Sequence, residues 1–136
     1  MSDMTNYLEG KIIDHIFRSA TFTKPTALYV GLFTAVEDAE AGTVTEVTGN
    51  NYARAQLDPS DTNWAAPSSG NGQTSNSAAI NFPTPSGSWG LCTHFGISDS
   101  PTGGNWLFIK TLTTPQTPGA GNTVRFSNGQ LTVTFA

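Results

Sequence analysis

Apolar and polar residues alternate along much of this chain, with the period of two that is typical of half-buried β-strands. The longest alternating segment between turn signals is Ser88–Asp99. Its odd-numbered positions are mostly large and apolar, whereas its even-numbered positions are small or polar. We therefore interpret this segment as the organising strand of the fold, with one face forming a wall of the core. The residues expected on that face are Trp89, Leu91, Thr93, Phe95 and Ile97.

Seven further segments show strand patterns and are separated by turns rich in Pro and Gly. The first of them is apolar on both faces, which predicts a central strand covered on both sides. Trp106–Leu112 is expected to return antiparallel to the organising strand, and Asn128-Gly129 predicts a type I′ hairpin between the last two strands. The seven segments are Ala27–Ala35, Thr43–Thr48, Tyr52–Leu57, Ala78–Phe82, Trp106–Leu112, Asn122–Ser127 and Gln130–Phe135.

One segment, Thr5–Arg18, has the 3.6-residue period of an amphipathic helix. A helix of this length is marginal alone and has to pack against something. Two alternatives are open. The helix covers a face or an end of the sheet, which we favour, or it docks on a neighbouring subunit. The apolar stripe consists of Leu8, Ile12, Ile13, Ile16 and Phe17.

Residues 58–77 form a long polar tract without a strand pattern. Loops of this length are uncommon inside compact domains, and they often carry function or are ordered by a partner. Trp64 lies in this tract; it either folds back on the core or contacts a partner, since aromatic side chains dominate interface energetics. A second loop, Val36–Gly42, is acidic but lacks the spacing of a calcium loop, so we interpret it as solvated.

These elements predict a mainly β fold, an antiparallel β-sandwich or flattened barrel of about eight strands with one N-terminal α-helix. A length of 136 residues fits one domain. We expect residues 1–136 to form that single domain, with residues 1–20 as the helix and its connector and residues 26–136 as the β-sandwich.

Only 12% of the residues are charged, and hydroxyl and small side chains are abundant. Such a surface suits a protein that packs against copies of itself or against a partner. The net charge is −4 and the six cations are scattered, which argues against a nucleic-acid partner. The single cysteine excludes an internal disulfide and a cysteine-based zinc site. No membrane span and no signal-peptide pattern are present. We therefore expect the protein to be assembled in a cytoplasm and not to associate with a membrane.

Cys92 and His94 are the strongest candidates for chemistry, because they share a face two positions apart on one predicted strand. No neighbouring residue is placed to activate the thiol or to orient the imidazole, so we interpret both as structural. Asp14 and His15 are adjacent on the predicted helix and therefore point in different directions. No phosphate-binding loop is present. The sequence predicts no enzyme activity, no catalytic residue, no metal site and no cofactor.

The three tryptophans, Trp64, Trp89 and Trp106, are the residues best suited to stack on sugars. Two of them lie in predicted strands, where a role in the core is expected. No cleft-like sugar site is identifiable from the sequence.

Seven linked segments occur in order along the chain: Y-L-E-G-K-I-I-D-H-I-F-R (7–18), P-T-A-L-Y-V-G-L-F-T-A (25–35), T-E-V-T-G (45–49), Y-A-R (52–54), N-S-A-A-I-N-F-P (76–83), W-G-L-C-T-H-F-G-I-S-D (89–99) and G-G-N-W-L-F (103–108). Together they resemble a family of small virion proteins of tailed bacteriophages, often labelled phage tail fibre proteins. The match covers nearly the whole chain, and none of the segments is a catalytic motif. The resemblance implies a non-enzymatic component of a phage particle.

Two positions in the virion fit this resemblance. We favour a capsid cement or decoration protein on the outer shell, with the major capsid protein and copies of itself as partners, because the chain lacks the repeats of an elongated shaft. The alternative is a tail fibre or tail-tip component, with other tail proteins or a host surface glycan as partners. For the capsid position, the helix and the 58–77 tract are the expected contacts. The candidate partner-binding residues are Leu8, Ile12, Ile16 and Trp64.

Overall fold

The computed structural model describes residues 2–67 and 71–135. Within them the chain forms one α-helix, α1 (Asn6–Phe17), and nine β-strands. No helix in these ranges is long and apolar enough to cross a membrane. The strands are β1 (Tyr29–Asp38), β2 (Thr43–Glu46), β3 (Ala55–Gln56), β4 (Gln73–Ser75), β5 (Ile80–Asn81), β6 (Cys92–Ser98), β7 (Trp106–Gln116), β8 (Arg125–Phe126) and β9 (Thr132–Thr134).

The strands pair antiparallel in three sheets. The largest has five strands in the order β2-β1-β6-β7, with β3 also paired to β1. Two small sheets, β4–β9 and β5–β8, contribute to the same hydrophobic core as the large sheet. The predicted mainly β, sandwich-like fold with one helix is therefore confirmed. The sheets do not close on themselves, so the flattened-barrel alternative does not apply to the described residues.

Strand β6 is the centre of the large sheet, as the organising segment predicted, because it lies between β1 and β7. It is shorter than the predicted Ser88–Asp99. Gly90 has φ +79° and interrupts the extended backbone before Cys92. Leu91 is consequently 54% exposed, so the prediction that it lies on the core face is wrong. Phe95 and Ile97 are buried as expected.

Two glycines allow β1 and β6 to carry large aromatic rings across their faces. Gly31 pairs directly with Gly96. A Cβ at Gly31 would lie 2.7 Å from Trp106 Cη2, and a Cβ at Gly96 would lie 2.6 Å from Phe33 Cζ. The space left by the missing side chains is occupied by an edge-to-face pair of Phe33 and Trp106, with ring centroids 4.7 Å apart.

Arg54 joins the β2 edge of the large sheet to the turn that follows β6. Its Nε and Nη2 donate to the two carboxylate oxygens of Glu46, both at 2.8 Å, and its Nη1 donates to the backbone oxygens of Ser100 and Gly103. The guanidinium also lies 4.2 Å from the centre of the Trp106 ring. Because its donors are satisfied by the fold itself, we interpret Arg54 as a structural clamp.

The turn at Asn128-Gly129 is present, but it does not join a two-stranded hairpin. The Gln130 N–H donates to the Ser127 carbonyl across the turn, while β8 pairs with β5 and β9 pairs with β4. Only Gly129 has a positive φ, whereas a type I′ turn requires one at both central residues. The predicted type I′ hairpin is therefore wrong, because pairing with distant strands decides where the flanking segments go.

The polar tract of residues 58–77 is tied to the C-terminal strands. It contains β4, and Trp64 forms an isolated bridge with Asn76. The buried Asn76 side chain donates to the carbonyls of Ala78 and Ser127 and accepts from the Leu131 N–H. The part of the tract at 68–70 lies outside the described residues. Elsewhere β1 is longer than predicted and takes in the start of the acidic loop, while Tyr52–Leu57 reduces to β3.

Candidate partner-binding surface

Residues 3–5 are fixed to the outer edge of β7. The Thr5 N–H donates to the Leu107 carbonyl at 3.0 Å, and the Ile109 N–H donates to the Asp3 carbonyl at 3.0 Å. Thr5 is also the N-cap of α1, with its hydroxyl oxygen 3.5 Å from the Leu8 nitrogen. The same hydroxyl donates to the Trp106 carbonyl at 2.7 Å. This buried threonine therefore fixes both the start and the direction of α1.

Beyond its first turn, α1 leaves the sheet. Leu8 is buried and Ile12 is half-buried, so the N-terminal half packs on the body of the protein. The apolar side chains of the last two turns are exposed: Ile13 by 52%, Ile16 by 64% and Phe17 by 80%. Positions i, i+3 and i+4 lie on one side of a helix, so these three side chains form a continuous apolar strip, here called the α1 ridge.

The exposed area of the α1 ridge corresponds to about two fully exposed large apolar side chains. Burial of a side chain of this size stabilises by roughly 1.5–3 kcal/mol, so complete burial of the ridge would contribute about 3–6 kcal/mol. Single exposed apolar residues are ordinary on protein surfaces, whereas a contiguous exposed group is a candidate interaction site.

The charged and polar groups around the ridge hold the helix end in place. The His15 Nδ1 accepts from the Phe22 N–H at 3.1 Å, which ties the last turn of α1 to the connector that follows it. Asp14 and Arg18 form an exposed ion pair at 3.5 Å, a type of contact that contributes little to stability. His15 thus has a structural partner and is not part of a dyad with Asp14.

The four residues proposed from the sequence lie in different environments. Leu8 faces the body of the protein, Ile12 lies at its margin, and Ile16 belongs to the α1 ridge. Trp64 is half-buried and packs against the core, with its Nε1 donating to the Leu57 carbonyl at 3.4 Å. Ile13 and Phe17 belong to the predicted apolar stripe but are not among the four candidate residues. Together with Ile16 they occupy positions i, i+3 and i+4, and this spacing is the sequence signal that identifies them.

The buried thiol and the imidazole of β6 are poorly suited to chemistry. Cys92 is fully buried, and burial raises the pKa of its thiol to about 11, so the sulfur is protonated at neutral pH. Burial lowers the pKa of His94, whose Nδ1 lies 2.8 Å from the Thr93 hydroxyl. Among the residues that the structure describes, no three His, Cys, Asp or Glu side chains group as metal ligands.

Trp89 and Trp106 both pack against other aromatic rings, Trp106 against Phe33 and Trp89 against Tyr52. Trp89 is buried, donates from Nε1 to the Asn50 carbonyl at 2.9 Å and meets Tyr52 edge-on, as expected of a core residue. The Tyr52 hydroxyl donates to Glu46, and burial raises the pKa of this phenol far above its ordinary value. These aromatic rings are therefore part of the packing of the fold.

One comparison with known proteins finds a match. A family model described as "Podophage GP4 fiber I protein gp80" matches residues 3–134, a span that includes α1 and all nine strands. No curated protein matches the chain.

Proposed function

The chain belongs to this family of podophage fibre proteins, a family of tailed-phage virion proteins, and we propose that it is a structural subunit of a phage fibre that is held in the virion through the α1 ridge. The family description supports the fibre assignment. The ridge supplies the means of attachment, because it is an apolar surface that the subunit itself leaves uncovered.

The observation that carries this proposal is the exposure of Ile13, Ile16 and Phe17 on a helix whose other end is fixed. A helix of 12 residues is marginal without tertiary contacts, so a neighbouring protein that covers the last two turns would stabilise both the helix and the assembly. In this arrangement Ile12 borders the contact and Leu8 orients the helix. Trp64 is a separate candidate, and its half-buried ring limits it to an edge contact.

Capsid decoration is the second candidate function, with the major capsid protein and copies of this chain as partners. It is supported by a short β-rich body that carries few charges and one exposed anchoring helix. In the fibre alternative the partners are other tail proteins. A non-enzymatic role suits both candidates, since Cys92 is buried and protonated, and the only side-chain hydrogen bond of His94 within the described residues is to its neighbour Thr93.

The number of copies per virion distinguishes the two positions. Quantitative mass spectrometry of purified particles, referenced to the major capsid protein, should give about six or a dozen copies for a fibre at the tail. Copies in the hundreds would instead support decoration of the shell and reject the fibre proposal.

Attachment through the ridge is tested with Ile13→Gln/Ile16→Gln/Phe17→Gln, which removes the apolar strip and keeps a good helix-forming side chain. We expect the purified variant to remain folded, because these side chains are exposed, and to be lost from virions. The matched control is Lys11→Gln, an exposed position outside the ridge on the same helix. Normal incorporation of the triple variant would overturn the proposed role of the ridge.

A further inference from the structure

A cleft of about 780 Å³ opens between the C-terminal half of β7 and the loop that leads into β8. Its origin is an irregular pairing of β6 with β7. Cys92 pairs with Gln116 and His94 pairs with Thr111, so four residues of β7 stand opposite the single residue Thr93. This bulge pushes residues 112–115 out of the regular sheet and creates the wall of the cleft.

The lining of the cleft combines an apolar floor with a polar wall. The buried side chains of Leu32 and Phe95 lie at the floor together with the half-buried ring of Phe126. Hydroxyl and amide groups line the wall, and each of them can both donate and accept a hydrogen bond. Within the described residues, five of these threonine hydroxyls make no hydrogen bond to the protein: Thr111, Thr113, Thr114, Thr117 and Thr123.

The charge of the cleft is opposite to that of the chain. The chain has ten acidic residues and a net charge of −4, yet the lining contains two cations and no carboxylate. One cation, Lys110, donates to Thr132 and lies 3.5 Å from Asp3, so its charge is partly compensated. The other, Arg125, is exposed, and its Nη2 has only the Ser127 hydroxyl, at 3.4 Å, as a side-chain partner among the described residues.

We propose that this cleft binds an acidic saccharide. A sugar ring offers hydroxyl groups for the threonine and amide side chains, and its C–H face suits the apolar floor. A sugar carboxylate matches the planar guanidinium of Arg125, which forms paired hydrogen bonds with such groups. The volume of the cleft lies within the range of small-molecule binding sites, which is roughly 300–1,000 Å³.

Other ligand classes fit this lining less well. A nucleic acid requires several cations along its path, and the cleft has one cation that is not compensated. An acidic peptide would satisfy Arg125, but it offers few hydroxyl groups to the polar wall. The inference does not depend on how the protein is attached to the virion, because the cleft is formed within one chain.

The test is a nuclear magnetic resonance titration of the ¹⁵N-labelled full chain at neutral pH. The acidic probes are tri-galacturonic acid and N-acetylneuraminic acid, each up to about 10 mM, a range that detects complexes with a Kd near 1 mM. The neutral α-1,4-linked galactose trimer shows the contribution of the carboxylates. A tri-glutamate peptide provides the carboxylates without the sugar. We expect an acidic sugar to shift the amide signals of residues 111–117 and 122–126, at least fivefold more tightly than the neutral trimer or the peptide.

Two variants and one control connect binding to the cleft. Arg125→Gln should remove the preference for the acidic over the neutral trimer, while Thr113→Val/Thr114→Val should weaken both, since it removes two hydroxyls from the wall. Arg18→Gln removes an exposed cation on α1, outside the cleft, and should leave binding unchanged. The proposal is overturned if neither acidic sugar shifts signals of the cleft, if the peptide binds as tightly as the sugars, or if Arg125→Gln and Arg18→Gln have equal effects.

Discussion

Replacement of Asn76 should cost more stability than any other exchange of a polar side chain in the tract at 58–77. The residue is 1% exposed, and its side chain makes three hydrogen bonds to the backbone. Its Nδ2 donates to the carbonyls of Ala78 at 2.9 Å and Ser127 at 3.0 Å, and its Oδ1 accepts from the Leu131 N–H at 3.0 Å. One side chain thus joins the end of β4, the turn at Ser127 and the start of β9.

The magnitude follows from what Asn76→Ala leaves behind. Leu131 is fully buried, so its N–H would lose its partner without access to water, at a cost of about 1–3 kcal/mol. The carbonyls of Ala78 and Ser127 belong to partly buried residues, so water replaces part of each lost bond, and each contributes about 1 kcal/mol. The sum is a loss of about 3–5 kcal/mol, which is a large share of the free energy of unfolding of a small domain, roughly 5–15 kcal/mol.

Equilibrium unfolding in urea, followed by tryptophan fluorescence, measures this loss as a change in the free energy of unfolding at constant m-value. Asn81→Ala is the matched control, because Asn81 is exposed and its side chain makes no hydrogen bond among the described residues; its effect should stay within about 0.5 kcal/mol. A loss below about 1 kcal/mol for Asn76→Ala would refute the reasoning that this side chain holds the C-terminal strands to the tract.

Three further predictions concern β6 and its neighbours. Gly96→Ala should destabilise the protein by about 1–3 kcal/mol in thermal unfolding, because its Cβ would lie 2.6 Å from the buried ring of Phe33. Gly10→Ala, at an exposed position of α1, should instead stabilise the protein. Equal effects of the two variants would contradict the close packing of β1 and β6. Burial lowers the pKa of His94 in the folded state. The contribution of the neutral imidazole to the free energy of unfolding is therefore complete above the ordinary pKa of histidine and is lost as the pH falls through the lowered value. The His94→Gln variant should lose less stability on acidification than the parent protein, as measured by urea midpoints. The thiol of Cys92, with a pKa of about 11, should react with a chromogenic disulfide reagent only after unfolding, and rapid labelling of the native protein would show that it is accessible.

Local patterns were sufficient for the elements whose signals lie within one segment. The 3.6-residue period of Thr5–Arg18 predicted α1 to within one residue at each end. The alternation of β6 and the apolar run of β1 gave two central strands, and the short turn-rich connection gave the antiparallel return of β7. These features depend on neighbours in sequence, which a single chain displays directly.

Pairing between distant segments was not predictable in the same way. The segments around the Asn128-Gly129 turn were expected to pair with each other, yet β8 pairs with Ile80–Asn81 and β9 with Gln73–Ser75. The competing partners are separated from them by more than 40 residues, and the decisive contacts of Asn76 cross the same distance. A strong turn signal fixes the turn alone, because the partners of its flanking strands are chosen by the packing of the core.

The candidate surfaces depend on the same kind of long-range contact. The sequence shows a wide apolar stripe on α1, but which part is buried depends on the hydrogen bond from Thr5 to the Trp106 carbonyl, 101 residues away. The cleft was invisible because it results from a mismatch of length between β6 and β7, and no pattern within either strand reports that mismatch. Its polar lining was present in the sequence only as an unremarkable run of threonines.

Strand β7 explains why the two proposed surfaces occur where they do. It is an edge strand of the large sheet, and an unprotected edge would add a strand of a second chain. Residues 3–5 cover its first half through hydrogen bonds to Leu107 and Ile109, and α1 begins directly after them. The second half departs from the sheet in the bulge, where Pro115 also lacks an N–H for pairing. Edge-to-edge pairing through β7 is therefore disfavoured. This agrees with the proposed assembly through side-chain contacts of the α1 ridge, and the bulge that interrupts the edge is also the origin of the proposed ligand cleft.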